Sequence, residues 1–195
     1  MEPINFLLVG VGGQGVLTVS DILAELGLRS GYDVKKSEVH GMSQRGGAVS
    51  SHVRFGPRVY SPLIPQGEAD FLLSFEMLEA LRWATFLRAE GTALVSTQRM
   101  PPIAVTSGGA RYPEPEEVRQ ELAGRSRQVI LVDAQQAARQ LGNPRVTNMV
   151  LVGTLAALLP FSPPQWEEVI RERVPARFAD LNLQAFRMGQ EMARG

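Results

Sequence analysis

The chain has no cysteine among its 195 residues. Disulfides, thiolate nucleophiles and cysteine-ligated iron–sulfur clusters are excluded together. Histidine is nearly as scarce, with only His40 and His52. A zinc site would have to draw most of its ligands from carboxylates, so no metal site is expected. Net charge is also missing: 20 basic and 20 acidic side chains cancel. That balance gives no electrostatic reason to expect nucleic acid as a partner. No stretch approaches the roughly 18 consecutive apolar residues of a membrane span. The start, Met1-Glu2-Pro3, runs into an apolar segment without a basic region or a small-residue cleavage site, so no signal peptide is read there. The expectation is a cytoplasmic protein with no membrane partner. If it serves redox chemistry, its electron carriers are borrowed.

What is present suits a globular α/β protein. Hydrophobic residues make up 44% and charged residues 21%, enough for one domain with a full core. The expected division is a single domain over residues 1–195, with an α/β core over 1–145 and a helical part over 146–195. Residues 4–9 and 70–75 read as buried strands, and "TALVST" after Gly91 and "VILVDA" as further strands. Residues 32–39 form a more polar strand. "AVSSHVRF" at 48–55 alternates and is expected to turn at Gly56-Pro57 into "RVYSPLI" as a hairpin. "RMPPIAVTSGGARYPEP" reads as a strand flanked by loops.

Helices are expected over 15–29, 76–90, Pro115 to Gly124, a short segment to Leu141, a buried 146–159, 162–173 and 177–193. Strands alternating with helices imply a Rossmann-like α/β fold. It would have a mainly parallel sheet with flanking helices, an antiparallel hairpin addition and a helical C-terminal tail. On the last helix Phe178, Leu181, Ala185, Met188 and Met192 recur at helical steps. That stripe serves either the domain's own core or docking to a second chain.

Two stretches carry the chemistry. The first is Gly10-Val-Gly12-Gly13-Gln14-Gly15 at the end of the first strand. Glycines there let a backbone approach a ligand closely, and the following helix offers free N–H groups to an anion such as a coenzyme A phosphate. The spacing also matches a dinucleotide-binding turn. Such a site wants an acid about 20 residues on to hold a ribose, and Glu38 has that offset. The same glycines would equally serve a tight turn and close helix packing. The second stretch is "SEVHGMSQRGG". Its Glu38, His40, Gly41, Ser43, Gln44, Arg45, Gly46 and Gly47 form a polar loop suited to a partner or to the substrate side, with Arg45 the recognition group. No residue is assigned a catalytic role. The Met42-Ser43-Gln44-Arg45 context lacks the second glycine of a nucleophile elbow.

"VGVGGQGVLT", "SEVHGMSQRGGAVSSHVRFG" and "SPLIPQGEADFLLSFEMLEALR" follow one another in this order. Together they resemble the gamma-type subunit of the 2-oxoacid:ferredoxin oxidoreductase family, and within it the indolepyruvate type, over roughly residues 4–160. The resemblance implies a non-catalytic subunit that helps assemble the complex and shapes its substrate and coenzyme A side. The complex would oxidatively decarboxylate a 2-oxoacid, form an acyl-coenzyme A and reduce ferredoxin. Thiamine diphosphate and iron–sulfur clusters would lie in the catalytic partner subunit, coenzyme A would be a co-substrate, and this chain would bind no cofactor tightly. A homodimer contact is compatible with that role. Two other readings stay open: a free-standing NAD- or FAD-dependent oxidoreductase using the Gly10–Gly15 turn, and a regulatory module for a phosphorylated metabolite.

Overall fold

A computed structural model describes residues 3–40 and 47–194, and of His40 the backbone alone. Among the described residues the strands are β1 (Ile4–Val11), β2 (Asp33–His40), β3 (Ala48–Gly56), β4 (Ala69–Ser74), β5 (Leu87–Ser96) and β6 (Gln128–Val132). They form one sheet in the order β2-β3-β1-β4-β5-β6. β1, β4, β5 and β6 pair in parallel, and β3 pairs antiparallel to both β1 and β2. The helices are α1 (Val16–Arg29), α2 (Met77–Arg82), α3 (Ile103–Thr106), α4 (Pro115–Ala123), α5 (Ala134–Gln140), α6 (Thr147–Ala156), α7 (Pro163–Arg173) and α8 (Ala179–Met192).

β1 is apolar on both faces because both are covered. Phe6 and Leu8 join a core with residues of α1, α5, α6, α7 and α8. Leu7 and Val9 join a second core with residues of α2 and α4. The continuous apolar run predicts this arrangement, since a strand with one wet face would alternate.

The antiparallel addition is present, but its partner differs from the expected one. β3 pairs with β2, while residues 58–64 form no strand. Pro57, Pro62 and Pro65 deprive that segment of ladder donors. It is tied down instead by Val59 N–H to the Asp33 carboxylate at 2.8 Å and by Ile64 N–H to His52 Nδ1 at 3.2 Å. The polar character of β2 suits its place at the sheet edge, where charge discourages pairing with other chains.

Two other boundaries move. The helix expected over 76–90 ends at Arg82 and gives way to a short turn, because strand pairing with β4 begins at Ala69–Leu87. The strand expected after Arg99 is absent from that described segment. Pro101-Pro102 lacks donors, and only the single turn of α3 forms.

α8 crosses α6 with no side chain between them at the closest point. A Cβ at Gly189 would lie 2.0 Å from the Val150 carbonyl oxygen, and one at Gly153 would lie 1.9 Å from that of Phe186. Thr154 Oγ shares its proton between the Val150 carbonyl of its own helix and the Gly189 carbonyl across the crossing, each at 3.1 Å. The buried line of α8 runs through Leu183, Ala185, Phe186 and Gly189. The stripe read from sequence meets that line at Ala185 and otherwise lies beside it: Leu181 and Met188 pack at its margin, and Met192 is exposed.

Gly189→Ala is expected to cost about 3 kcal/mol or more, because either the helices must separate or the backbone must shift. Urea denaturation checks this, with Gly124→Ala as control. Gly124 sits in open helical geometry, where an added Cβ would meet nothing closer than 3.5 Å, so its replacement should be neutral within about 0.5 kcal/mol or mildly stabilising.

Candidate functional site

β1 ends and the chain turns through Gly12–Gly15 into α1, on one face of the sheet; β4 ends and turns into α2, on the other. The crevice between β1 and β4 is therefore the point where ligands commonly lie in open α/β sheets. Gly13 and Gly15 hold φ of 103° and 82°, a region that favours glycine. Gly15 is also pressed by Asn148 at the start of α6, whose Nδ2 would lie 2.4 Å from a Cβ there. Gly10 is the penultimate residue of β1, and Gly12 donates its N–H to the Gly47 carbonyl at 2.8 Å.

Gln14 occupies the crevice. Its Oε1 accepts the Val11 N–H at 2.7 Å, and its Nε2 donates to the Phe75 carbonyl at 2.9 Å and to Gln98 Oε1 at 3.1 Å. One carboxamide thus joins the ends of β1 and β4 to the segment after β5. Two smaller hollows flank the turn. One, of about 380 Å³, is lined by Gly13, Gln14, Gln98, Arg145 and Asn148. The other, of about 320 Å³, is lined by Gly12, Gly15, Leu17, Thr18 and Val49. Arg145 is exposed and has no ion pair among the described residues.

Glu38 does not stand where a ribose-holding acid would. β3 intervenes between β1 and β2 and runs against both. Glu38 accepts from Lys36 Nζ at 2.6 Å and from Ser20 Oγ at 3.4 Å. His40 ends β2, and Gly47 precedes β3. Gly41, Met42, Ser43, Gln44, Arg45 and Gly46 lie outside the described residues.

A concavity of about 750 Å³, larger than either hollow, opens at the same end of the sheet on the α2 side. Val11, Leu78, Met100, Pro102 and Ile103 give it apolar walls, with Glu76, Glu79 and Arg82 among the residues lining it. Glu76 caps α2 by accepting the Glu79 N–H at 2.9 Å, and it accepts the Met100 N–H at 3.2 Å and the Tyr112 hydroxyl. Burial pushes the Glu76 carboxyl above the ordinary range, although the backbone N–H groups of Glu79, Met100 and Leu78 oppose the shift. Burial also raises Glu79, with Arg82 Nη1 at 2.6 Å opposing. Sequence reading missed Glu76, Glu79, Gln98, Tyr112, Arg145 and Asn148. Acids inside "SFEMLEALR" were the one available signal; the others are joined only by the fold.

The sequence profile of a family described as pyruvate ferredoxin/flavodoxin oxidoreductase matches residues 5–192. The chain belongs to this family. A protein of Archaeoglobus fulgidus named indolepyruvate oxidoreductase subunit IorB is 44% identical, over 97% of this chain and 95% of the relative. A protein of the same name from Thermococcus kodakarensis is 41% identical over 100% and 98%. The solved gamma subunit of a keto/oxoacid ferredoxin oxidoreductase from Geobacter sulfurreducens superposes with a TM-score of 0.71 at 25% identity, covering 98% of each chain. The family likeness read from the three motifs, and the α/β fold it implied, thus hold for this oxidoreductase-family chain.

Glu79→Gln probes the buried acid of this pyruvate ferredoxin/flavodoxin oxidoreductase homologue. A carboxyl raised in the folded state keeps a proton that the unfolded chain has already released. Its burial therefore costs stability as pH climbs from the ordinary carboxylate range through the raised value. The glutamine variant should be more stable than wild type at pH 7, and the difference should vanish near pH 4. Paired urea melts at the two pH values measure it, and an advantage that persists at pH 4 would contradict the assignment.

Proposed function

We propose that this chain is the non-catalytic subunit of an indolepyruvate-type 2-oxoacid:ferredoxin oxidoreductase. The complex decarboxylates the 2-oxoacid, transfers the acyl group to coenzyme A and passes the electrons to ferredoxin. The observation that carries this reading is identity above 40% along nearly the whole length of two relatives that both bear the indolepyruvate oxidoreductase name. Thiamine diphosphate and the iron–sulfur clusters belong to the catalytic partner. A chain without cysteine supplies no thiolate to a cluster. The protein is cytoplasmic in this reading; among the described residues no helix is long and apolar enough to cross a membrane.

Within the complex, the chain helps hold the assembly and borders the coenzyme A side. The Gly10–Gly15 turn is the proposed anion-facing element, with Glu38, His40, Gly41, Ser43, Gln44, Arg45, Gly46 and Gly47 as the loop toward the partner or substrate. The support is chemical. The first turn of α1 follows Gly15, whose cap position carries no side-chain hydrogen bond. Arg145 lines the adjoining hollow without an acidic partner among the described residues. A coenzyme A phosphate would meet N–H groups and a guanidinium there. The free-standing NAD or FAD enzyme is less well supported, because Gln14 fills the switch-point crevice and Glu38 lies two strands from β1.

Arg145→Ala should raise the KM for coenzyme A in the reconstituted complex by about five- to tenfold, the loss of one charge-assisted contact. The kcat and the Tm of the isolated chain should stay near wild type. Unchanged KM would remove Arg145 from the coenzyme A side. The chain alone should oxidise no 2-oxoacid until a thiamine-containing partner is added. Tight NAD or FAD binding by calorimetry, with hydride transfer, would overturn the subunit reading.

A further inference from the structure

One wall of the large cleft is held to the rest of the molecule by few contacts between its ends: Val105 packs at the margin of the α2-side core, and exposed Arg111 pairs with Glu117. From residue 101 to 111 no side chain is buried, and only Pro102 and Val105 are half-covered. The segment makes its own small hydrogen-bonded unit. Val105 and Thr106 N–H groups donate to the Pro102 carbonyl, Ser107 N–H to Ile103 and Gly108 N–H to Val105. Its two ends converge on a single atom. Glu76 Oε1 accepts the Met100 N–H at one end and the Tyr112 hydroxyl at the other. Arg99 reinforces the closure by pairing with Glu114 and by placing its guanidinium 5.7 Å from the centre of the Tyr112 ring. Glu76 itself is anchored independently of the segment, since it caps α2 through the Glu79 N–H.

We infer that residues 99–112 form a strap that opens and closes over the cleft as a unit, with Glu76 as its latch. A segment that buries little between its ends takes most of its stability from those ends. Here both ends meet on one buried carboxylate, and the remaining ties, Arg99–Glu114 and Arg111–Glu117, are exposed ion pairs that contribute little. The Tyr112 ring sits in the core shared with Val118 and Leu122, so the ring stays fixed while the hydroxyl sets the latch. The Gly108-Gly109 pair, with Gly108 at φ 80°, supplies a place for the backbone to bend. The root of the strap is Gln98, which carries the Gln14 carboxamide. The same few residues therefore border both the cleft and the glycine turn. Opening would widen the cleft toward Val11 and Leu78 and present Met100 and Ile103, the latter already 84% exposed.

Amide hydrogen exchange by NMR on the full chain tests the strap. The reporter is the Met100 N–H, which Glu76 holds, compared with those of α1 and α6; the N–H groups of Val105, Thr106, Ser107 and Gly108 bond within the strap and should stay near wild-type rates when it moves as a unit. Tyr112→Phe keeps the ring and removes only the hydroxyl. It should speed exchange at Met100 by about tenfold or more, the loss of one hydrogen bond to a buried carboxylate, and leave α1 and α6 unchanged. Glu76→Gln should accelerate Met100 as well. An unchanged Met100 rate in Tyr112→Phe would overturn the latch, and a rise that includes β1 and α6, or one as large at Val105 to Gly108 as at Met100, would overturn the strap as a separate unit.

Discussion

Three strand ends meet at one carboxamide. Gln14 is the only polar side chain in "GVGGQGV", and its three hydrogen bonds reach Val11, Phe75 and Gln98. Left unpaired in this half-buried place, the amide would carry a desolvation penalty of up to about 1–3 kcal/mol. The glycines around it let the backbone fold back tightly enough for the side chain to reach its own strand. The result is a sheet whose edge at the carboxyl end of β1 is closed at the centre and open on both sides, toward Arg145 and toward Glu76. A glycine turn that resembles a dinucleotide site has become a structural knot that distributes open space to either flank.

The electrostatics at that edge are local. The chain is neutral as a whole, and its charges are mostly spent within neighbouring elements. Arg29 reaches Glu25 and Glu168, and also pairs with Glu172; Arg173 reaches Glu25, which tacks α7 to α1. Such exposed pairs contribute little individually. His52 is buried and uncharged in character: burial, and then Arg54, hold its pKa below the usual value, and its Nδ1 accepts from Ile64. It therefore serves the packing of residues 58–64, beside Trp83 and Phe86. The scarcity of histidine in the sequence does not reveal where His52 sits.

Much of the fold is legible in the sequence because it rests on short-range signals. The buried run of β1, the proline and glycine that bracket α4, and Ser162-Pro163 at the start of α7 each state a local preference that tertiary packing respects. The errors fall where long-range pairing decides. Residues 87–90 have helical neighbours in sequence but a strand neighbour in space, Ala69. Local pattern places the mate of β3 downstream at 58–64, whereas the register that lets Val53 and Phe55 reach the α1 core is met by β2. Of the site, the glycine turn is readable, since glycine spacing is itself the signal. The roles of Gln98, Asn148 and Tyr112 are not: their sequence separations from Gln14, Gly15 and Glu76 are long, and nothing local marks them.

The core on the α1 side has a consequence for the order in which this chain can become a folded protein. Most of its members come from two stretches far apart in sequence, Phe6 to Leu26 and Val146 to Phe186, with strand residues such as Val53, Phe55 and Leu73 between them. During synthesis the apolar face of α1 and the sheet behind it must wait for the last quarter of the chain before they are covered. Contacts of such long sequence separation form slowly and leave hydrophobic surface exposed meanwhile. The tight α6–α8 crossing forms only once Gly189 has been added, so a chain stalled before that residue leaves the apolar face of α1 partly open.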